Sequence, residues 1–327
     1  MRIAVFGASG TIGQATAKAL LDQGHDVVCH LRRRSGFQGR LTADQLHRLL
    51  PGARFRFGDG TSALSSTPDF MQRERIDAVV SCLASRTGAP IDAWQVDYQM
   101  QADILQAARL ADVQKFVLLS AICVQKPTLE FQRAKLAFEN LLVNSGMQYS
   151  IVRPTAFFKS LSGQLKRLQQ GKPYLVFGDG RLTACKPISD ADLAQFLGRC
   201  LIDDDKRNRI LPIGGPGDAI TPLEQAEYLF GRLGKKPHVR HVPVALLDGI
   251  VQALRMGGVL VPKLAEKAEL AKIGRYYATE SMLVWDAARQ RYDADATPSF
   301  GTQTLFDHYD QLVEGTVQAE LGDHAVF

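Results

Sequence analysis

Residues 3 to 13, Ile3-Ala4-Val5-Phe6-Gly7-Ala8-Ser9-Gly10-Thr11-Ile12-Gly13, decide the fold. Four apolar residues read as a short strand buried on both faces, and a helical pattern begins at Thr11. Between them stand glycines at a three-residue spacing, each with its own physical task. The first permits a tight turn, the second lets backbone N–H groups approach a pyrophosphate, and the third allows close packing of helix on strand. The N-terminus of that helix attracts negative charge. Gly7, Ser9, Gly10, Thr11, Ile12 and Gly13 are therefore candidate contacts of a dinucleotide cofactor.

Outward from this turn, short β-branched runs alternate with helical stretches, the pattern of βαβ units and a parallel sheet. Strands are expected at 3–6, 27–31, 54–57, 78–81, 116–120 and 149–152, with helices at 12–23, 42–49, 68–74, 92–110 and 131–145. The fold class is α/β, a doubly wound parallel sheet of Rossmann type with a smaller C-terminal lobe. Beyond Pro154 glycines punctuate shorter segments, and helices are expected at 190–201, 221–233, 243–256, 262–272 and 302–315. This pattern divides the chain into a cofactor-binding domain, 1–158, and a substrate-binding lobe, 159–327, some segments of which return to the sheet edge.

Composition excludes several classes. With 46% hydrophobic and 22% charged residues over 327 positions, the chain is not intrinsically disordered. Its net charge of +5 is scattered apart from Arg32-Arg33-Arg34, which excludes a general nucleic-acid binder. Cys29, Cys82, Cys123, Cys185 and Cys200 contain no C-x-x-C, so neither a disulfide framework nor a metal site is expected, and a reducing compartment fits. No basic n-region or Arg-rich leader follows Met1, and no signal or transit peptide is expected. The apolar stretch 242–264 is broken by Asp248, Arg255, Gly257, Gly258, Pro262 and Lys263, so no transmembrane segment is expected.

The second strand discriminates between dinucleotides. An NAD enzyme places a carboxylate about 20 residues past the glycines, on the ribose 2′-OH. Here the strand ends in His30-Leu31 and runs into the arginines, whose guanidinium groups suit a 2′-phosphate. NADPH is the expected cofactor, with Arg32 and Arg33 as contacts. Asp59, after the third strand, is placed to meet the adenine amino group, and Leu83 and Ala84, after the fourth, to lie along the ribose.

The fifth strand runs into Ser120-Ala121-Ile122-Cys123-Val124-Gln125-Lys126-Pro127 and then Leu129-Glu130-Phe131-Gln132-Arg133-Ala134-Lys135. In short-chain dehydrogenases this region carries a Ser followed by Tyr-x-x-x-Lys, with phenol and ammonium on one helical face. Ser120 and Lys135 are present, but Phe131 stands where the tyrosine would be. A phenol protonates an alkoxide in carbonyl reduction, so its loss points to hydride delivery onto a group that forms no alkoxide. Lys135 is expected to hold the nicotinamide ribose and to lend positive charge to a developing anion.

These segments, together with Val152-Arg153-Pro154-Thr155-Ala156-Phe157-Phe158-Lys159-Ser160, Phe177-Gly178-Asp179-Gly180, Cys185-Lys186-Pro187-Ile188-Ser189, Leu211-Pro212-Ile213-Gly214-Gly215-Pro216-Gly217, Glu320-Leu321-Gly322-Asp323 and Ala325-Val326-Phe327, carry a resemblance over nearly the whole chain. The sequence resembles the NADPH-dependent divinyl chlorophyllide 8-vinyl reductases, atypical short-chain dehydrogenases of chlorophyll and bacteriochlorophyll synthesis. The resemblance implies reduction of the 8-vinyl group of 3,8-divinyl chlorophyllide or protochlorophyllide to ethyl. It implies catalytic roles for Lys135, Ser120 and Cys123, further cofactor contacts from Pro154, Thr155 and Phe157, and substrate contacts from Phe131, Phe158 and Tyr174. The implied partner is a magnesium tetrapyrrole. The missing plastid leader points to a bacterial member in the cytoplasm; contact with a photosynthetic membrane surface and the oligomeric state stay open. So does the proton donor, among Cys123, Glu130, Lys126, Lys135 and water. Two other readings are a non-catalytic NADP-binding redox sensor and a phenylpropanoid-type alkene reductase. Replacing both Arg32 and Arg33 by Ala should weaken NADPH binding by about tenfold or more while leaving NADH binding unchanged, as read by fluorescence titration; equal NADPH affinity would remove the 2′-phosphate assignment.

Overall fold

The structure is a computed structural model and describes residues 1–32, 43–58, 67–258 and 261–317. Seven strands form the main sheet in the order β3-β2-β1-β4-β5-β6-β8. They are β1 (Arg2–Phe6), β2 (Asp26–Arg32), β3 (Arg54–Gly58), β4 (Ala78–Ser81), β5 (Lys115–Leu119), β6 (Gln148–Pro154) and β8 (Arg209–Ile213), with β7 (Tyr174–Phe177) lying elsewhere. The pairs β1–β2, β1–β4, β2–β3, β4–β5 and β5–β6 run parallel, with Ile3 opposite both Val27 and Ala78. Every residue of β4 and β5 is buried, as is β1 from Ile3 to Phe6, which explains the near-continuous apolar runs. Strand order reverses between β1 and β4, and this leaves a crevice at their carboxyl ends.

One sheet face is covered by Thr67–Glu74, Met100–Leu110 and Glu130–Val143, whose buried Met71, Ile104, Phe138 and Leu142 join Phe116 and Ile151. The Phe116 and Phe138 rings pack with centroids 5.8 Å apart at 55°. The helix Thr11–Asp22 packs against Asp190–Ile202.

The chain falls into two compact units. The first comprises Met1–Arg86, Pro90–Pro154 and Asp190–Pro212; the second comprises Thr87–Ala89, Thr155–Ser189 and Ile213–Phe327. Residues 190–212 thus belong with the first unit, although the sequence reading gave everything past 158 to a second lobe with returning segments. Buried polar groups account for this. Lys115 on β5 is 7% exposed and donates from Nζ to the Leu201 carbonyl at 2.7 Å, satisfying a helix C-terminus. Ser150 Oγ donates to the Lys206 carbonyl at 2.9 Å, and the Asn208 N–H donates to the Tyr149 carbonyl at 2.7 Å.

The second unit has its own core, in which Phe158, Leu165, Tyr174, Leu229, Phe230 and Tyr309 meet. In it β7 pairs in parallel with β9 (Val239–Val242), and β10 (Val284–Asp286) pairs antiparallel with β11 (Arg291–Asp293). Two of its helices begin with reciprocal caps, Thr221 with Glu224 and Thr304 with Asp307. The helix Val244–Gly258 buries Val251 and exposes Leu246, Ile250 and Met256.

His30, on β2, lies between Phe6 and Phe70, with ring centroids 5.3 Å away on each side. Burial pushes its pKa down to about 4. The unfolded chain therefore takes up a proton near pH 6.5 that the folded chain refuses, so stability present above pH 6.5 is lost as pH falls toward 4. His30→Gln should flatten the acid limb of the stability profile in denaturant titrations at pH 4.5 and 7; an unchanged limb would contradict a neutral buried imidazole.

Candidate cofactor and active site

The glycine turn has no space for side chains. Gly7 has φ +82°, and a Cβ built on it would lie 2.7 Å from the Cys82 carbonyl carbon at the end of β4. A Cβ on Gly13 would lie 2.1 Å from the Gly7 carbonyl oxygen. The Gly10 N–H closes the turn on that same oxygen at 3.0 Å. Gly10 then caps the helix Thr11–Asp22 without a side-chain hydrogen bond, and its first turn holds no acidic residue. Gly10 and Thr11 are exposed, with Ser9 and Ile12 half-buried. An exposed helix start with no acidic residue in its first turn suits a pyrophosphate, so the turn fits the dinucleotide expected of it.

The loops after β2, β3 and β4 are partly described. Arg32 ends β2, but its side chain, Arg33 and Asp59 lie outside the described residues. Leu83 is half-buried and Ala84 exposed just past β4. Ser81 Oγ donates to Gln101 Oε1 at 2.8 Å, and Gln101 Nε2 donates to the Leu83 carbonyl at 3.4 Å, which fixes this loop from beneath.

Asp97, Gln101, Leu118, Leu119, Ser120, Lys135 and Phe138 bound a narrow crevice in the first unit. Lys135 and Ser120, singled out from sequence, meet there. The Lys135 ammonium donates to Asp97 Oδ1 at 2.9 Å, with the lysine side chain 11% exposed and the aspartate 0%. Ser120 Oγ donates to Glu139 Oε1 at 2.5 Å, and Arg153 donates to both oxygens of that carboxylate, from Nε at 3.1 Å. With its proton committed to Glu139, Ser120 is left with lone pairs for the crevice. Phe131 lies 8% exposed in the first turn of the Glu130–Val143 helix, four residues before Lys135. Cys123 is buried in the 3-10 turn Ile122–Gln125. Glu130 accepts from Trp94 Nε1 at 3.0 Å and from Arg133.

The remaining predicted residues fall differently. Pro154 ends β6 in the first unit. Thr155 and Phe157 begin the second unit, where the Thr155 N–H donates to the Ile213 carbonyl at 3.0 Å, Thr155 Oγ1 to the Lys186 carbonyl, and Phe157 pairs with Ile188. Gly215 docks here too: a Cβ on it would lie 1.9 Å from the Pro187 oxygen. Three motif segments of the sequence thus assemble into one structure. Phe158 and Tyr174, expected to meet substrate, are 4% and 2% exposed and spend their rings on the second unit's core, whereas Phe157 stays half-buried. Sequence reading passed over Asp97, Glu139 and Arg153, whose carboxylates and guanidinium lie far apart in the chain. Burial pushes the Cys29, Cys82, Cys185 and Cys200 thiols up to about 12, so these remain protonated and unreactive. Among the described residues no cluster of His, Cys, Asp or Glu is arranged to hold a metal ion.

With the geometry established, comparison with known proteins is informative. A family model described as NAD(P)H-binding matches residues 7–204. A divinyl chlorophyllide a 8-vinyl-reductase, chloroplastic, from Cucumis sativus is 48% identical over 337 residues, covering 99% of this chain and 79% of that protein. The protein of the same name from Oryza sativa subsp. indica is 48% identical, covering 99% and 82%. Among solved structures, the leucoanthocyanidin reductase–NADPH complex of Vitis vinifera is 15% identical with a TM-score of 0.70, covering 96% of this chain and 100% of that one; it shares the fold.

Glu139→Ala would strand Arg153, whose side chain is 16% exposed. Unfolding free energy should fall by about 3 kcal/mol in chemical denaturation, and a change under about 0.5 kcal/mol would show the pair to be solvent-screened.

Proposed function

The chain belongs to the divinyl chlorophyllide a 8-vinyl-reductase family, within the wider NAD(P)H-binding family, and from that membership we propose that it reduces the 8-vinyl group of a divinyl magnesium tetrapyrrole to ethyl with NADPH. The observation that carries this reading is a lysine held in the crevice by Asp97, with Ser120 beside it and Phe131 where a phenol would stand. When bound, the dinucleotide supplies a hydride. Hydride reaching the terminal vinyl carbon leaves negative charge that the conjugated macrocycle spreads over many atoms. No oxyanion forms, and a tyrosine acid has no role. Lys135 supplies fixed positive charge at the crevice, already in place before charge develops. The open turn at Gly10 and Thr11 receives the pyrophosphate.

The tetrapyrrole is an amphiphile, and the exposed Leu246, Ile250 and Met256 of Val244–Gly258 give the chain an apolar face suited to peripheral contact with a lipid surface. No described helix is long and apolar enough to cross a membrane.

Purified protein with NADPH and divinyl chlorophyllide should blue-shift the pigment absorption as NADPH is consumed. Nucleotide binding with untouched pigment would favour a sensor instead. Lys135→Ala should lower kcat by about a hundredfold or more, and wild-type turnover would remove the lysine from the chemistry.

A further inference from the structure

We propose that Asp97 is a positioning residue of this site: it holds the Lys135 ammonium at the crevice and keeps its second carboxylate oxygen for a hydroxyl donor on the nicotinamide side of the bound dinucleotide. The proposal rests on the reading that this crevice takes NADPH.

The two oxygens of Asp97 have different surroundings. Oδ1 accepts from Lys135 Nζ at 2.9 Å and from the Ser85 N–H at 3.2 Å. Oδ2 is fully buried and has no hydrogen-bond partner among the described residues. A buried carboxylate oxygen without a donor is costly, and native proteins rarely leave one so. Asp97 lines the crevice, which indicates where a donor could come from.

The other polar groups of the crevice are already committed. Gln101 is engaged by Ser81 and Leu83, and the Ser120 proton goes to Glu139. There remains an acceptor, Asp97 Oδ2, beside a donor, the Lys135 ammonium, which retains further protons. An adjacent acceptor and donor match a vicinal diol, whose hydroxyls both donate and accept. The ribose next to the nicotinamide carries such a diol.

Local backbone geometry supports a dedicated placement. Asp97 lies in a π-helical turn, Trp94–Gln99, between the helices Pro90–Ala93 and Met100–Leu110. A π turn inserts an extra residue, rotating the rest of the helix by about 100°, and such insertions are frequent at functional sites. Trp94 ties the turn, through Glu130, to the first residue of the helix Glu130–Val143 that carries Lys135.

The test is calorimetric and needs no pigment. Asp97→Asn keeps the volume and removes the charge. It should weaken NADPH by about tenfold or more and leave adenosine 2′,5′-bisphosphate, which lacks the nicotinamide half, within about twofold. On wild-type protein, an NADPH analogue lacking one nicotinamide-ribose hydroxyl should bind about tenfold more weakly, and this arm survives if Asp97→Asn does not fold. Equal loss of NADPH and bisphosphate, no loss of either, or an analogue that binds as tightly as NADPH would each overturn the assignment. Failure of wild-type protein to reduce the pigment, with these binding results intact, would instead count against the proposed reaction.

Discussion

No side chain fits between Gly13 and the carbonyl of Gly7, or between Gly7 and the end of β4, and the site depends on that exclusion. The contacts are backbone against backbone, so nothing can rotate away to relieve a clash. Because Gly7 also occupies a left-handed conformation, the turn is fixed twice, by sterics and by φ. The result is a helix whose first turn lies at the reversal point of the sheet, with Gly10 and Thr11 exposed. The fold thereby holds a place for phosphate before any ligand arrives.

Around that fixed point the first unit buries charge in small, closed sets. Lys115 closes a helix C-terminus, Arg153 and Glu139 secure Ser120, and Lys135 pairs with Asp97. Partly or fully desolvated pairs such as these add little net stability, because desolvation offsets most of the attraction. Their contribution is placement: Lys135 and Ser120 are long or rotatable groups, and each is held by a carboxylate with exposure of 2% or less. Placement before charge develops is what electrostatic catalysis requires.

The parts of this arrangement legible in the sequence were those governed by local rules. Strand and helix patterning gave the six N-terminal strands, and glycine spacing gave the turn, because both depend on neighbours in the chain. The positions of Ser120 and Lys135 also followed from one strand and the helix after it. That segments return to the sheet edge was expected, but that they are 190–212, with the seventh strand β8, depends on Lys115 and Ser150 meeting carbonyls of distant residues, which no periodicity encodes. Asp97 was hidden for a related reason: the segment 92–110 reads as one helix, and the π turn that places its carboxylate beside Lys135 leaves no mark in hydrophobic spacing. Phe158 and Tyr174 sit in the second unit's core, a place that neither the resemblance nor residue type encodes, because aromatic residues fill cores as readily as sites.

A proton must still reach carbon after hydride transfer, and the geometry narrows its origin. Phe131 has no proton to give. The Ser120 proton is directed at Glu139, and Glu130 is held as an acceptor by Arg133 and Trp94. Cys123 is 2% exposed within its own turn. That leaves the Lys126 and Lys135 ammonium groups and water, and ammonium groups and water are weaker acids than a carboxylic acid. A weak acid suffices when charge is delocalised over a macrocycle, because the anion can await its proton, whereas a localised alkoxide would require a matched donor in contact. The replacement of the phenol by Phe131 is thus coherent with the rest of the site. It lowers the demand on proton delivery where the electron sink is the substrate itself, and it leaves Lys135, held by Asp97, as the positive charge that the crevice presents.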